Sequence, residues 1–171
     1  MGSYDFFKDL DDGDFIARLL ASEAMIMEEL ARHPQHPNIV RYRGARVRRG
    51  RITGLVLDKY ERTLFQHVKR DPSLDEKEKE DLMESLQSAV AHLHSLGLAH
   101  NDVNPHNIMI ADPDKRLVLI DFGSCLPFGE RTLSHGSTGW VEDDMDVWSR
   151  KEHDIFALGK IREWLEKPWF G

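Results

Sequence analysis

Two short stretches decide how this chain folds: His100-Asn101-Asp102-Val103-Asn104-Pro105-His106-Asn107 and Asp121-Phe122-Gly123. In the first, Asp102 and Asn107 are separated by a loop short enough for both side chains to face one cleft. Phosphoryl transfer needs an Asp that meets the attacking hydroxyl, and an Asn and a second Asp that hold metal on the phosphates. Either stretch alone is a weak signal, but the two together indicate this chemistry.

The segment between the two stretches predicts a pair of strands. Ile108 to Ile110 and Leu117 to Ile120 are apolar runs on either side of the turn Asp112-Pro113-Asp114. Such a pair returns the chain to the cleft from which it left. We therefore expect Asp121 to lie close to Asn107.

The two stretches resemble the catalytic loop, H-R-D-L-x-x-x-N, and the D-F-G motif of the protein kinase superfamily. The resemblance implies that Asp102 is the catalytic base and that Asn107 and Asp121 bind Mg²⁺. It also implies ATP as the phosphoryl donor and a protein as the substrate or partner. In the same pattern, residues 136–140 resemble the end of an activation segment, and Asp154 matches the buried aspartate that anchors the catalytic loop.

The resemblance covers nearly the whole chain, from about Phe6 to Leu165. Residues 23–30 and the stretch His36-Pro37-Asn38-Ile39-Val40 resemble the αC helix and the loop that follows it. This register makes Glu23 the αC glutamate. Lys8 is then the lysine that pairs with it over the α- and β-phosphates.

Residues 55–60 resemble the fifth strand and the hinge between the two lobes of a kinase. The resemblance implies that the main chains of Asp58 and Tyr60 face the adenine ring and that Met109 lies beneath it. It also implies an internal stack of side chains, the spine, formed by Met27, Tyr42, His100 and Phe122.

Periodicity predicts an α+β order, with a small strand-rich lobe followed by a helical lobe. It predicts a strand at residues 4–10, a helix at residues 15–31 and a hairpin around Gly50. Two later helices are predicted to begin at capping boxes, Ser73 with Glu76 and Ser149 with Glu152. Their predicted buried faces are Leu82, Met83, Leu86, Val90 and Leu93, and Ile155, Phe156, Leu158, Ile161 and Leu165. Packing is the role expected of Trp140, Trp148, Trp164 and Trp169.

Departures from the kinase pattern predict a reduced fold. No Gly-rich loop precedes the first strand, so we expect strands one and two of the small lobe to be missing and the large lobe to end after an αF-like helix. This predicts a truncated small lobe at residues 1–60 and a truncated large lobe at residues 61–171. In its details the sequence resembles a group of small fungal kinase-like proteins. Asn101 replaces the Arg that receives a phosphorylated activation segment, and Asn104 replaces a basic residue near the γ-phosphate.

The composition is that of an ordinary globular protein. Of the 171 residues, 40% are hydrophobic and 31% are charged, and no apolar run is long enough to cross a membrane. The single cysteine, Cys125, excludes a disulfide framework and favours an intracellular compartment, cytoplasmic or nuclear. The net charge of −7 argues against a general nucleic-acid binder. Six arginines between Arg41 and Arg51 form either a solvated hairpin face or a patch that binds a phosphate or a partner.

Three functions remain open. An active kinase that transfers the γ-phosphoryl group of ATP to Ser or Thr is favoured by Asp102, Asn107 and Asp121. A pseudokinase scaffold, with weak nucleotide binding or none, is favoured by the missing Gly-rich loop. A small-molecule phosphotransferase is the third, because residues 100–102 also resemble choline-kinase and aminoglycoside-kinase loops. The activation-segment resemblance speaks against this third function.

Overall fold

The computed structural model describes residues 12–112, 114–132, 136–142 and 147–170. Its helices are α1 Asp12–Ala31, α2 Leu64–Arg70, α3 Glu76–Ser95 and α4 Lys151–Glu166. Its strands are β1 Tyr42–Arg48, β2 Arg51–Leu57, β3 Arg62–Thr63, β4 Leu98–Ala99, β5 Ile108–Ala111, β6 Arg116–Leu119 and β7 Leu126–Pro127. The predicted α+β class is confirmed. The strand predicted at residues 4–10, and Lys8 with it, lies outside the described residues.

The first part of the fold is α1 packed against the antiparallel hairpin of β1 and β2. Both the predicted helix and the predicted hairpin are confirmed, although α1 begins at Asp12 rather than Phe15. Arg49 and Gly50 form the hairpin turn with φ angles of 52° and 74°. Two positive φ angles in succession give a turn whose twist matches that of the flanking strands.

A short joint ties this hairpin to the rest of the fold. The Val40 amide donates to the Leu119 carbonyl at 2.9 Å, and the Leu119 amide donates to the Asn38 carbonyl at 2.8 Å. The buried Asn38 side chain also donates to the Leu117 carbonyl at 2.8 Å. Residues 38–40 therefore fix the hairpin to β6, the strand that leads to Asp121.

In the helical part, α3 packs against β6 and α4. All five residues predicted for the buried face of α3 are buried, and its end before Gly97 is also as predicted. The predicted starting residue is wrong by two positions. The helix is capped by Asp75, whose side chain accepts from the Glu78 amide, because Ser73 instead bonds to Asp71.

The start predicted for α4 is also wrong, because its cap residue, Arg150, makes no side-chain cap bond. The Ser149 hydroxyl is fully buried and donates to the Leu126 carbonyl, so it cannot cap the helix. The predicted face is partly wrong as well, because Ile155 is 54% exposed and the helix buries Asp154 instead. The helix packs against the core with four buried apolar residues: Ala157, Ile161, Trp164 and Leu165.

Packing was predicted for all four tryptophans, and it is confirmed for two of them. Trp140 and Trp164 are buried. Trp148 and Trp169 are about half exposed, although Trp169 stacks on Trp140 with the ring centroids 5.9 Å apart. No helix in the described ranges is both long and apolar enough to span a bilayer.

Candidate active site

A buried aspartate fixes the loop between β4 and β5. Asp154 has no exposed surface, and its carboxylate accepts the main-chain amides of His100 at 2.9 Å and Asn101 at 2.8 Å. His94 Nε2 lies 2.8 Å from the same carboxylate. Asn101 holds a positive φ of 62°, a conformation that is uncommon for a residue with a side chain. The anchor predicted for Asp154 is confirmed by these contacts.

The Asp102 carboxylate is half-buried and accepts three hydrogen bonds. Asn107 Nδ2 donates to Oδ2 at 2.8 Å. Asn104 Nδ2 and the Ser137 amide donate to Oδ1, at 3.0 and 2.7 Å. A carboxylate offers about four lone-pair positions, so one position on Oδ2 stays open among the described residues.

The strand pair brings Asn107 and Asp121 to one end, as expected. Ile108 pairs with Leu119, and the Ile120 amide donates to the Asn107 carbonyl at 2.9 Å. Asp121 has a φ of 61°, and its Oδ1 accepts from the Gly123 amide at 3.2 Å. The described residues give no hydrogen bond to Asn107 Oδ1 or Asp121 Oδ2. These two hard oxygens fit the ligand preference of Mg²⁺.

Glu23 reaches the same end of the strand pair from α1. Its Oε1 accepts the Phe122 amide at 3.3 Å. Burial raises the pKa of the Glu23 carboxyl, the nearby Asp121 raises it further, and the bond from Phe122 partly lowers it. The ionised pair of carboxylates therefore favours a cation between them.

The predicted spine residues come together in part. Met27, Phe122 and His100 are buried, and Tyr42 is half-buried against the same core. The rings of His100 and Phe122 meet edge to face with centroids 5.1 Å apart. This packing fixes Phe122, and with it the main chain that follows Asp121.

A family model described as the protein kinase domain matches residues 8–161. This chain belongs to the protein kinase family. The predicted recognition is thereby confirmed at the level of the superfamily, while the resemblance to small fungal proteins stays a prediction.

Several curated kinases are similar to parts of this one. The human serine/threonine-protein kinase/endoribonuclease IRE2 is 34% identical over 140 residues, 74% of this chain and 15% of the relative. The rat calcium/calmodulin-dependent protein kinase type 1B is 30% identical over 151 residues, 84% of this chain and 44% of the relative. Serine/threonine-protein kinase PrkC of Bacillus subtilis is 32% identical over 106 residues, which are 58% of this chain and 16% of the relative. This kinase-family chain spans less than half the length of each of these relatives.

An ion pair lies at the segment predicted to be the hinge, residues 55–60. Arg43 donates to both oxygens of Asp58, at 2.7 and 3.1 Å, and this contact lowers the pKa of the Asp58 carboxyl. Tyr60 is half-buried against the core, and Met109 is half-buried in β5 opposite Val118. The roles predicted for Asp58, Tyr60 and Met109 in adenine binding stay predictions.

Sequence reasoning missed the contacts that Asn101 makes in this chain. Its Nδ2 donates to the carbonyls of Ala99 and Ser124 and to the Ser149 hydroxyl. Its Oδ1 accepts the Arg150 amide at 3.2 Å. Asn101 therefore stands at the position of the family's Arg and ties the loop between β4 and β5 to the start of α4 by hydrogen bonds. No sequence signal indicated this, because the partners come from distant parts of the chain.

Proposed function

We propose that this chain catalyses the ATP- and Mg²⁺-dependent phosphorylation of Ser and Thr hydroxyls on proteins. One observation carries the proposal: the Asp102 carboxylate is oriented by Asn107 and Asn104 and keeps one acceptor position open on Oδ2. A base in this position accepts the proton of an attacking hydroxyl. The loop that carries it is fixed by Asp154 from below.

The residues divide the chemistry between them. Asp102 Oδ2 accepts the hydroxyl proton while the hydroxyl oxygen is aimed at the γ-phosphorus. Asn107 Oδ1 and Asp121 Oδ2 are the oxygens that would hold Mg²⁺, which neutralises phosphate charge when bound. Glu23 would orient Lys8 toward the α- and β-phosphates.

A protein substrate is supported by the segment that lies on the catalytic loop. The Ser137 amide contacts Asp102 directly, and a Cβ on Gly136 would come within 2.6 Å of the Asn101 carbonyl. This close approach supports a role for residues 136–137 in holding a substrate peptide beside the base, so that a short Ser or Thr side chain reaches Oδ2. Two of the relatives described above also carry the name serine/threonine-protein kinase.

A pseudokinase scaffold is the second candidate, and one observation favours it. Asn104 is neutral at a position where the family has a positively charged residue. Its side-chain amide donates to the Asp102 carboxylate and to the Ser137 hydroxyl. No described cation at this position would then offset the γ-phosphate. The division into lobes at residue 60 and an intracellular location, cytoplasmic or nuclear, belong to the same set of proposals.

Phosphoryl transfer to a mixed Ser/Thr peptide, with and without Mg²⁺, tests the proposal. We expect Asp102→Asn to lower the rate by about 100-fold or more, because the base is lost. Glu84→Gln, on the exposed face of α3, is the control for loss of one negative charge and should leave the rate unchanged.

Nucleotide binding separates the two candidates. We expect ATP to raise the melting temperature with Mg²⁺ more than with EDTA, and Asp121→Asn to remove that difference. Weak or undetectable ATP binding, without any transfer, would favour the scaffold. Identical stabilisation with Mg²⁺ and with EDTA would contradict the metal ligands assigned to Asn107 and Asp121.

A further inference from the structure

The tip of the β1–β2 hairpin is a cationic surface with no function in the site above. We define it by Val47, Arg48, Arg49 and Arg51, all of which are exposed, Val47 by 60%. Arg43 and Arg46, lower on the hairpin, are bonded to Asp58 and Thr53. The three tip arginines have no hydrogen-bond or ion-pair partner in the described part of the chain.

The hairpin opposes the charge of the rest of the molecule. Residues 41–51 contain six arginines and no acidic residue, while the whole chain carries −7. Without those six positive charges, the rest of the chain carries −13. A second copy of this chain therefore offers the hairpin tip a strongly acidic surface.

One cavity on that acidic surface has the shape and the chemistry to receive the tip. The α2–α3 groove is a cavity of about 350 Å³ between α2, α3 and the β5–β6 turn. Leu74 and Leu82 form its apolar floor. The exposed Asp81 and Asp114 stand at its rim, and neither has a hydrogen-bond partner among the described residues.

The groove stays acidic after its own cations are counted. Glu78 pairs with Lys115 at 2.7 Å, and this contact raises the pKa of Lys115. Asp71 and Asp75 are close enough to raise it further. The groove and its edge hold five carboxylates, Asp71, Asp75, Glu78, Asp81 and Asp114, against Lys115, Arg116 and the neighbouring Arg62, which is itself paired with Asp112.

We propose that the hairpin tip of one copy binds the α2–α3 groove of a second copy. Val47 covers the floor formed by Leu74 and Leu82, and Arg48 and Arg49 pair with Asp81 and Asp114. Within one chain the tip belongs to the hairpin packed on α1, and no hydrogen bond between described residues joins it to the groove.

The geometry of this contact determines how it behaves. The two surfaces differ, so the contact is head-to-tail: the copy that donates its tip keeps a free groove, and the copy that receives it keeps a free tip. A hairpin tip buries little area, which places the interface among the weak, transient ones. Because the charges are exposed, added salt screens them and weakens the association.

Sedimentation velocity over a concentration series tests the proposal. We expect association that weakens as salt rises from about 0.05 to about 0.5 M. Arg48→Glu with Arg49→Glu should lower the association constant by about tenfold or more, and so should Asp81→Lys with Asp114→Lys. An equal mixture of the two double variants should associate again. Arg18→Glu, on the exposed face of α1, is the control for a charge reversal away from the hairpin tip.

Cross-linking identifies which surfaces meet. Arg49→Cys and Asp81→Cys should form a disulfide-linked heterodimer when mixed and oxidised, while the native Cys125 is buried and does not compete. A monomer at every concentration overturns the proposal. So does self-linkage of Arg49→Cys as efficient as the mixed product, because the tip would then contact another tip.

Discussion

Glu23 and Asp121 place two carboxylates side by side, and neither is ion-paired with a cation among the described residues. Each carboxylate accepts a hydrogen bond from the main chain after Asp121: Glu23 from the Phe122 amide and Asp121 from the Gly123 amide. These bonds hold the two carboxylates in place. Charge concentrated in this way is a typical cost of a site that receives metal and phosphate. Removing one of these charges should therefore stabilise the fold and weaken the function of the site.

We predict that Glu23→Gln raises the melting temperature near neutral pH and lowers phosphoryl transfer. Because the folded pKa of Glu23 is raised, its ionised form is disfavoured by folding, and stability is lost as pH rises from the unfolded pKa through the higher folded pKa. Gln keeps an acceptor for the Phe122 amide without the charge. Loss of the charge that orients Lys8 should cost about tenfold or more in rate.

Melting curves and initial rates at pH 7 check this prediction. Glu84→Gln, an exposed residue of α3, serves as the control for loss of one negative charge. A Glu23→Gln variant that melts lower than the wild type would show that Glu23 is already paired with a cation in the nucleotide-free protein, and would contradict this prediction.

At the scale of one residue, the sequence predicted which residues form the site better than it predicted their hydrogen-bond partners. Asp102, Asn107 and Asp121 were predicted to share a cleft, because a fixed loop length and a strand pair constrain them. The hydrogen bonds of Asn101 were not predicted, since their partners lie on β4, on the loop before β7 and at the start of α4. Local spacing contains no information about such contacts.

Element boundaries show the same limit. Ser73 with Glu76 and Asp75 with Glu78 both satisfy the capping-box pattern, and the second is the one formed. Ser73 bonds to Asp71 instead, so a competing turn decides the outcome. Ser149 failed as a cap because tertiary packing buries it.

The support of the catalytic loop by α4 leads to a second prediction. Asp154→Ala leaves the buried amides of His100 and Asn101 without an acceptor, which should cost about 1–3 kcal/mol of unfolding free energy. It should also lower the rate, because the same amides orient the loop that carries Asp102. Chemical denaturation and rate measurements check this.

Asp154→Asn keeps one acceptor oxygen and should fall between the wild type and Asp154→Ala. Glu152→Ala, two residues earlier on the exposed face of α4, is the control. Unchanged stability and unchanged rate in Asp154→Ala would mean that the loop is held by other contacts.

The activation segment leads to a third prediction. We expect the rate to stay within a few-fold when Ser134, Ser137 and Thr138 are all replaced by Ala, although Ser134 lies outside the described residues. The physical reason is that Asn101, at the position of the phosphate-binding Arg, is neutral and has its amide committed to three buried acceptors. A phosphate on the segment would find no anchor there.

Rates measured before and after phosphatase treatment provide the control for that variant. Both should agree with each other and with the rate of the triple Ala variant. Near-complete loss of activity in the triple Ala variant would indicate that a phosphate on the segment is bound by another residue, such as one of the arginines.

Across the whole molecule, the sequence predicted the order of the elements and the side of the fold that carries the chemistry. It did not predict how the hairpin is attached to the helical part. The joint at residues 38–40 consists mainly of main-chain hydrogen bonds to β6, which any sequence of suitable shape could form. The joint nevertheless determines how α1, with Glu23, is placed relative to Asp121.

A histidine pair at this joint leads to the last prediction. His36 Nδ1 accepts the Asn38 amide at 3.2 Å, so that nitrogen carries no proton, and Nε2 lies 3.2 Å from the Ser88 hydroxyl. The ring also stacks on His92 with centroids 5.0 Å apart. Burial lowers the pKa of His36, and the neighbouring His92 lowers it further. Protonation would break the bond to Asn38 and set a positive charge against His92.

The sign of the pH effect follows from the lowered pKa. Between the folded and unfolded values the unfolded chain binds more protons, so the free energy of unfolding falls as pH falls below about 6.5. Denaturant titrations between about pH 7.5 and 5 should show this fall, and His36→Gln, which keeps an acceptor, should make it shallower. Some slope should remain, because burial also lowers the pKa of His67. His33→Gln, which removes a nearby histidine that contacts Glu29 rather than Asn38 or His92, is the control variant. An unchanged slope in His36→Gln would show that the joint does not sense protonation.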